Sequence, residues 1–135
     1  MSDWNTPIIE EFRENGGKVG GRFEGAPLLL LHSTGAKSGK PRLTPLRYRA
    51  VDEDFAVFGS KRGADTHPDW YYNLIANPKA SIEVGNETIE VTARLAEGDE
   101  RNTIWELQMR ESPIFADYEQ QTDREIPVII LEPTA

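Results

Sequence analysis

The fold is decided by residues 43–60, which read LTPLRYRAVDEDFAVFGS. The first half of this stretch alternates, with apolar side chains on one side of an extended chain and Arg47 and Arg49 on the other. The acidic triplet 52–54 forms a tight connection, and a second short apolar strand follows at 55–60. So short a connection permits only antiparallel pairing, and the stretch therefore predicts a β-hairpin.

Four further strands surround this hairpin in the sequence. The runs at 28–31 and 127–131 are apolar without polar alternation, which predicts strands buried on both faces. Residues 81–84 and 88–93 pair across a short Gly-Asn-Glu turn. About six strands joined mostly by hairpins predict a largely antiparallel sheet curled into a small barrel.

Helical patterns separate or flank these strands at 4–15, 69–76 and 101–110, and residues 114–121 form a short helix or a loop. They are too short for a helical core of their own, so we expect them to pack outside the barrel. The predicted fold class is α+β. A chain of 135 residues suits one core. We expect residues 1–25 to be an N-terminal helical extension and residues 26–135 to form the barrel domain.

Composition excludes several classes of protein. The chain has no cysteine, which rules out disulfides, thiol catalysis, thiolate metal sites and iron–sulfur clusters. The N-terminus has no basic region followed by an apolar stretch, and no apolar run is long enough to cross a bilayer. We therefore expect a cytoplasmic protein. The N-terminal helix could still contact a membrane surface, although its acidic residues oppose attraction to anionic lipids.

Charge is unevenly distributed along the chain. The net charge is −8, which disfavours nucleic acid as a partner. Residues 33–62 nevertheless carry seven basic and three acidic side chains, so this segment is +4 and the remainder of the chain is −12. A basic island in an acidic protein suggests one local anionic ligand, and solvated strand faces are the alternative.

The most informative motif is the turn 34–42, which reads TGAKSGKPR. Its glycines let the backbone turn tightly, while Lys37 and Ser38 supply donors for phosphate oxygens. The motif is not a P-loop, because Thr34 replaces the first glycine and Pro41 follows the lysine where serine or threonine is required. An anion-binding turn and a charged hairpin turn both remain open on these residues alone.

Other candidates lie further along the chain. The strand end 59–64 has small residues and two cations, and antiparallel pairing would return it toward Arg42. Trp70 is either a pocket wall or a core residue. Phe115 and Tyr118 share a helical face and either clamp a flat substrate or seal the barrel mouth. The two histidines have simpler interpretations, His32 in the core and His67 at a helix start. Neither a metal site nor a hydrolytic triad is indicated.

These motifs, taken in order, resemble one family. The segments STGAKSGKPR, TPLRY, GSKRGA, HPDWYYNLIANP and YEQQTDREIPVIILEP are similar to those of the deazaflavin-dependent nitroreductases, and they span most of the chain after residue 26. The resemblance implies a split β-barrel related to proteins that bind flavin mononucleotide. It also implies an oxidoreductase that passes a hydride from reduced coenzyme F420 to a quinone-like or nitroaromatic acceptor.

The resemblance assigns roles to individual residues. The residues implied to bind the cofactor are Lys37, Ser38, Gly39, Arg42, Thr44, Pro45, Arg47, Phe58, Gly59, Ser60, Lys61, Asp69 and Trp70. Ser60 and Tyr118 are the implied catalytic residues, and Phe115 joins Tyr118 at the acceptor. Ala36 stands where relatives often have a basic residue, and Ser112 and Phe115 replace tyrosines, so activity on bicyclic nitroimidazoles is not implied.

Two other functions stay open at this point. The chain could be a split-barrel reductase that uses flavin mononucleotide, or a protein that binds a deazaflavin or another small ligand without catalysis. The expected partner is a small-molecule electron acceptor, by resemblance a quinone of the menaquinone type. The sequence does not decide the oligomeric state, for which a homodimer is one arrangement.

Overall fold

The computed structural model describes residues 5–17, 27–60 and 66–134. Four helices and six strands follow one another along these residues. The helices are α1 (Asn5–Glu14), α2 (Asp69–Ala76), α3 (Gly98–Glu111) and α4 (Ile114–Gln120). The strands are β1 (Leu28–Thr34), β2 (Pro41–Val51), β3 (Asp54–Phe58), β4 (Lys79–Val84), β5 (Glu87–Leu95) and β6 (Val128–Pro133).

The six strands form a closed barrel in the order β1-β2-β3-β6-β5-β4, and every neighbouring pair is antiparallel. The hairpin expected at 43–60 is confirmed, with Tyr48 opposite Val57. Its second strand ends at Phe58 rather than at residue 60. The reason is that the N–H of Gly59 donates to the carbonyl of Pro127, 2.9 Å away, outside the regular ladder. The α+β antiparallel barrel predicted from the sequence is confirmed.

Alternate side chains of each strand point into or out of the barrel. Leu29 and Leu31 of β1 pack inside, whereas Leu28 and Leu30 pack outside beneath α1, so this leucine run is buried on both faces as predicted. Helix α2 closes one end of the barrel. The buried residues of the interior cluster are Leu29, Leu31, Val57, Trp70, Leu74, Ile82, Val91, Ile129 and Leu131.

Helix α1 packs on the outside of β1 and forms an ion pair with β4. Phe12 is fully buried against the outer leucines, and Arg13 binds both carboxylate oxygens of Glu83. His32 lies 2.5 Å from the same carboxylate. The expectation that His32 is a core residue is wrong, because the alternation of β1 turns it to the outer face, where it is half-buried.

Helices α3 and α4 cover the opposite outer wall, formed by β3 and β6. Their contact is aromatic, with Phe58 of β3 packed against Trp105 and Phe115 at ring distances of 5.8 and 5.6 Å. Within the ranges that the structure describes, none of the helices has the length and apolarity needed to cross a membrane.

Candidate functional site

The glycine turn joins β1 to β2 at the barrel end that α2 closes. The N–H of Gly35 donates to the carbonyl of Lys40 at 2.8 Å, and the N–H of Gly39 donates back to the carbonyl of Gly35 at 3.0 Å. Gly39 has a φ of 69°, which favours glycine. The Ser38 hydroxyl accepts the N–H of Lys40 at 3.1 Å and keeps its own hydrogen free to donate. Hydrogen bonds within residues 35–40 therefore hold the chain in a tight turn at this position.

A cleft of about 610 Å³ opens between this turn and α2. That size falls within the ~300–1,000 Å³ of typical ligand sites. Four residues predicted to bind the cofactor line it together: Lys37, Ser38, Arg42 and Asp69. The rest of the lining is formed by Gly35, Ala36, Tyr72 and Asn73. The structure thus brings the predicted basic turn and the predicted helix start to one cavity.

Asn73 is a lining residue that the sequence did not reveal. Its Oδ1 accepts the backbone N–H of Ala36 at 2.9 Å, which joins the middle of α2 to the glycine turn. Nearby, Asn77 places its side-chain nitrogen 3.5 Å from the carbonyl of Thr34. One side chain of α2 and one from the residue that follows it therefore set the distance between the two walls of the cleft. The only local signal was that Asn73 belongs to the segment carrying the family resemblance.

The cleft has a positive balance of charge. Lys37 and Arg42 contribute two cations and Asp69 one anion. Within 27–60 and the other described ranges, neither Lys37 nor Arg42 forms an ion pair. Two cations, a serine hydroxyl and a glycine turn form a donor set that suits phosphate. The residues present therefore fit the anionic tail of a flavin-like cofactor.

The predicted residues of β2 lie on two faces of the strand. Arg42 and Thr44 share the side of Leu46 and Tyr48, which pack into the barrel. Pro45 and Arg47 point to the outer side and, like Thr44, are half-buried. Of these residues, Arg42 is the one that lines the cleft.

The strand end after β3 lies against the segment that precedes β6. A side-chain carbon on Gly59 would come within 2.7 Å of Cγ of Pro127, so the backbones approach closely here. Ser60 is buried, and its carbonyl accepts a hydrogen bond from Arg124 at 3.0 Å. Lys61, predicted to bind the cofactor, lies outside the described residues.

Two predicted cofactor residues are buried among apolar side chains. Trp70 is only 7% exposed and belongs to the interior cluster of the barrel. Phe58 is likewise 7% exposed and lies in the aromatic contact beneath α3 and α4. The structure places neither in the lining of the cleft. Of the two readings of Trp70, pocket wall or core, the structure shows the core position.

The two predicted acceptor residues do share a face of α4. The rings of Phe115 and Tyr118 meet edge to face at 5.4 Å. Phe115 is 4% exposed and packs on Phe58 and Trp105, whereas Tyr118 is half-buried at the edge of this cluster. Phe115 therefore supports the ring of Tyr118 from within, and Tyr118 is the member that reaches the surface.

His67 precedes α2, as expected for a helix start, and has an arginine partner that the sequence did not suggest. Its Nδ1 lies 2.9 Å from Nη1 of Arg124, and its ring packs against Tyr71 at 4.5 Å. Burial, and next the positive charge of Arg124, lower the pKa of His67. No group of three metal-binding side chains occurs in the part of the chain that the structure describes.

Known proteins resemble this chain over nearly its whole length. The model of the family described as F420H2-dependent quinone reductase matches residues 6–133. A Mycobacterium tuberculosis protein named F420H2-dependent quinone reductase is 36% identical over 124 residues, which are 89% of this chain and 83% of that protein.

Two solved structures are similar in both fold and sequence. One, described as an F420-H2 dependent reductase, has a TM-score of 0.72 and 43% identity over 78% of this chain and 94% of that one. The other, described as a domain-swapped dimer, has a TM-score of 0.74 and 40% identity over 96% of this chain and 98% of that one.

Proposed function

Because the chain belongs to the F420H2-dependent quinone reductase family, we propose that it transfers a hydride from reduced F420 to a quinone. The family resemblance read from the sequence motifs is confirmed, and with it the oxidoreductase class and the F420 cofactor. The observation that carries the proposal is the cleft of about 610 Å³ lined by two cations, since a phosphate-bearing cofactor needs such a place.

The glycine turn is the proposed holder of the cofactor phosphate. Lys37, Arg42 and the Ser38 hydroxyl provide cationic and neutral donors, and the backbone of the turn is kept rigid by its own hydrogen bonds. Asn73 holds the turn at a fixed distance from α2. Because this anion site is already formed, few protein groups lose conformational freedom when the ligand binds, and this favours affinity.

The strand end is the proposed location of the ring system. Gly59 and Ser60 lie where the chain leaves β3, and the side chain of Pro127 occupies the space that a side chain at Gly59 would need. Thr44, Pro45 and Arg47 are proposed to border the ring from β2, and Lys61 to meet it beyond Ser60. Asp69, at the first turn of α2, is proposed to close the cleft over the tail.

When bound, F420H2 supplies the hydride, so the protein needs no acid–base constellation to perform the redox step. The quinone takes up this hydride and one proton to become a hydroquinone. The protein's own tasks are to hold two flat molecules face to face and to keep water away. We assign the acceptor side to Tyr118, with Phe115 behind it, and we propose that the Tyr118 hydroxyl or water provides the proton.

Turnover under anaerobic conditions tests this function. The protein is mixed with F420H2 and a soluble naphthoquinone, and the fluorescence of oxidised F420 is followed. We expect oxidation that requires both protein and quinone. A protein that binds F420 but oxidises none of it when quinone is added would be a carrier, and this result would reject the enzymatic proposal.

We also propose that two copies of the chain associate. The support is the solved relative described as a domain-swapped dimer, which matches 96% of this chain. Light scattering coupled to size-exclusion chromatography should give twice the mass of the 15.2 kDa chain. A monomer mass across the tested concentrations would contradict this association.

A further inference from the structure

Arg124 contacts two distant parts of the chain with one side chain. It lies in the segment TDREIP between α4 and β6, and its Nη2 donates to the carbonyl of Ser60 at 3.0 Å. Its Nη1 lies 2.9 Å from Nδ1 of His67. A guanidinium is planar and its donors form a fixed fork, so the two contacts constrain each other. One rigid group thus links Ser60, two residues after β3, to His67, two residues before α2.

The segment that carries Arg124 is itself well anchored. Arg101, which is 8% exposed, donates from Nη2 to the carbonyl of Ile126 at 2.7 Å. The carbonyl of Pro127 accepts the N–H of Gly59 at 2.9 Å, directly before the residue that Arg124 binds. Because the backbone that follows Arg124 is hydrogen-bonded at Ile126 and Pro127, the position of Arg124 is well defined.

The contact with His67 also fixes the state of the imidazole. Arginine has only donors, so Nδ1 of His67 must accept and the ring is neutral with its proton on Nε2. The ring then packs on Tyr71 and Tyr72 of α2, at 4.5 and 5.8 Å. The charged side chains that share the nearby cavity with His67 are Glu97, Arg101 and Glu125.

We propose that Arg124 is a positioning residue of the reductase, which holds Ser60 in the arrangement that the cofactor requires and uses His67 as its second anchor. The inference rests on the proposed function, because Ser60 is assigned to the ring system there. Arg124 acts through other groups and needs no contact with the reacting atoms. Its loss should weaken the binding of F420H2 more than it slows the chemical step.

Two substitutions separate the geometry of Arg124 from its charge. Arg124→Lys keeps the positive charge but cannot span both partners, whereas Arg124→Gln removes the charge. Arg94→Gln is the matched control, because Arg94 also binds two partners, Glu100 and Glu132, but touches neither Ser60 nor His67. We expect both Arg124 variants to raise KM for F420H2 roughly tenfold, as expected when a charged hydrogen bond is lost, with little change in kcat or in KM for the quinone. The control should leave all three constants unchanged.

The titration of His67 gives an independent readout on the protein without cofactor. NMR should show that Arg124→Gln raises the pKa of His67, since it removes a positive charge beside the ring, while Arg124→Lys leaves the pKa low. A role confined to general stability would lower the melting temperature and leave KM for F420H2 unchanged in the folded variants.

Several results would overturn the proposal. One is a pair of folded Arg124 variants whose KM for F420H2 and His67 titration equal those of the wild type. Another is a failure of both variants to fold, which would make Arg124 a support of the whole barrel. If the wild type itself binds no F420, the proposed function fails and the positioning role falls with it. The His67 titration would still show whether Arg124 holds the imidazole.

Discussion

Changing Asn73 to aspartate adds one negative charge to the cleft with almost no change of shape. The Oδ1 of Asn73 accepts the N–H of Ala36 at 2.9 Å, and an aspartate oxygen can accept the same hydrogen bond. The glycine turn should therefore stay in place. If the cofactor phosphate lies beside Lys37 and Arg42, the new carboxylate repels it, and the affinity for F420 falls.

The size of the effect follows from Coulomb's law. Two unit charges ~8 Å apart in a medium of effective dielectric constant ~40 repel by about 1 kcal/mol. That energy corresponds to roughly sixfold weaker binding at low salt. Near ~0.15 M salt the screening length is itself ~8 Å, so the difference should shrink to about twofold.

Two companion variants show whether charge or shape is responsible. Asp69→Asn removes a negative charge from the same cleft and should strengthen binding at low salt. Asn73→Ala breaks the link to Ala36 and should cost stability of about 0.5–1.5 kcal/mol, with an effect on affinity that does not depend on salt. Affinities are measured by titrating F420 fluorescence. Unchanged binding of the Asn73→Asp variant at low salt would refute the phosphate position.

Three further predictions concern stability and are measured by urea or thermal unfolding. Gly17→Ala should destabilise the protein by about 1–3 kcal/mol, because residue 17 has a φ of 98° and the new carbon would lie 2.9 Å from Cα of Gly85; wild-type stability would contradict this. Arg13 lowers the pKa of Glu83, so the stability that this carboxylate contributes is complete above the ordinary pKa of 4.5 and is lost as the pH falls below it. Glu83→Gln should reduce this loss of stability at acidic pH. An unchanged dependence of stability on pH would exclude the ion pair as its cause. Phe115→Ala should cost about 3–5 kcal/mol as a core truncation; a loss of quinone turnover at full stability would instead show a surface role.

The barrel was predictable because its signals are local. The hairpin at 43–60 shows its period of two within a few residues, and α2 was predicted at 69–76 with the bounds that the structure has. The direction in which a helical side chain points was harder to predict from the sequence. Trp70 was open between core and pocket, since the face that a short helix buries depends on how the helix docks onto the barrel.

The contacts that organise the site were not predictable from local pattern. Ala36 and Asn73 are 37 residues apart, and Ser60 and Arg124 are 64 apart. Closure of the barrel brings such pairs together, and no spacing rule along one chain indicates them. Both Asn73 and Arg124 do occur in the segments that carry the family resemblance, which marks the segments without explaining these residues.

We infer that the cleft between the glycine turn and α2 holds the phosphate of F420. Parallel equilibrium titrations of the purified wild type with F420 and with flavin mononucleotide, followed by fluorescence in the same buffer, test it most directly. We predict saturable binding of F420 that is weakened by Lys37→Glu. Tight binding of flavin mononucleotide with no detectable binding of F420 would contradict the claim.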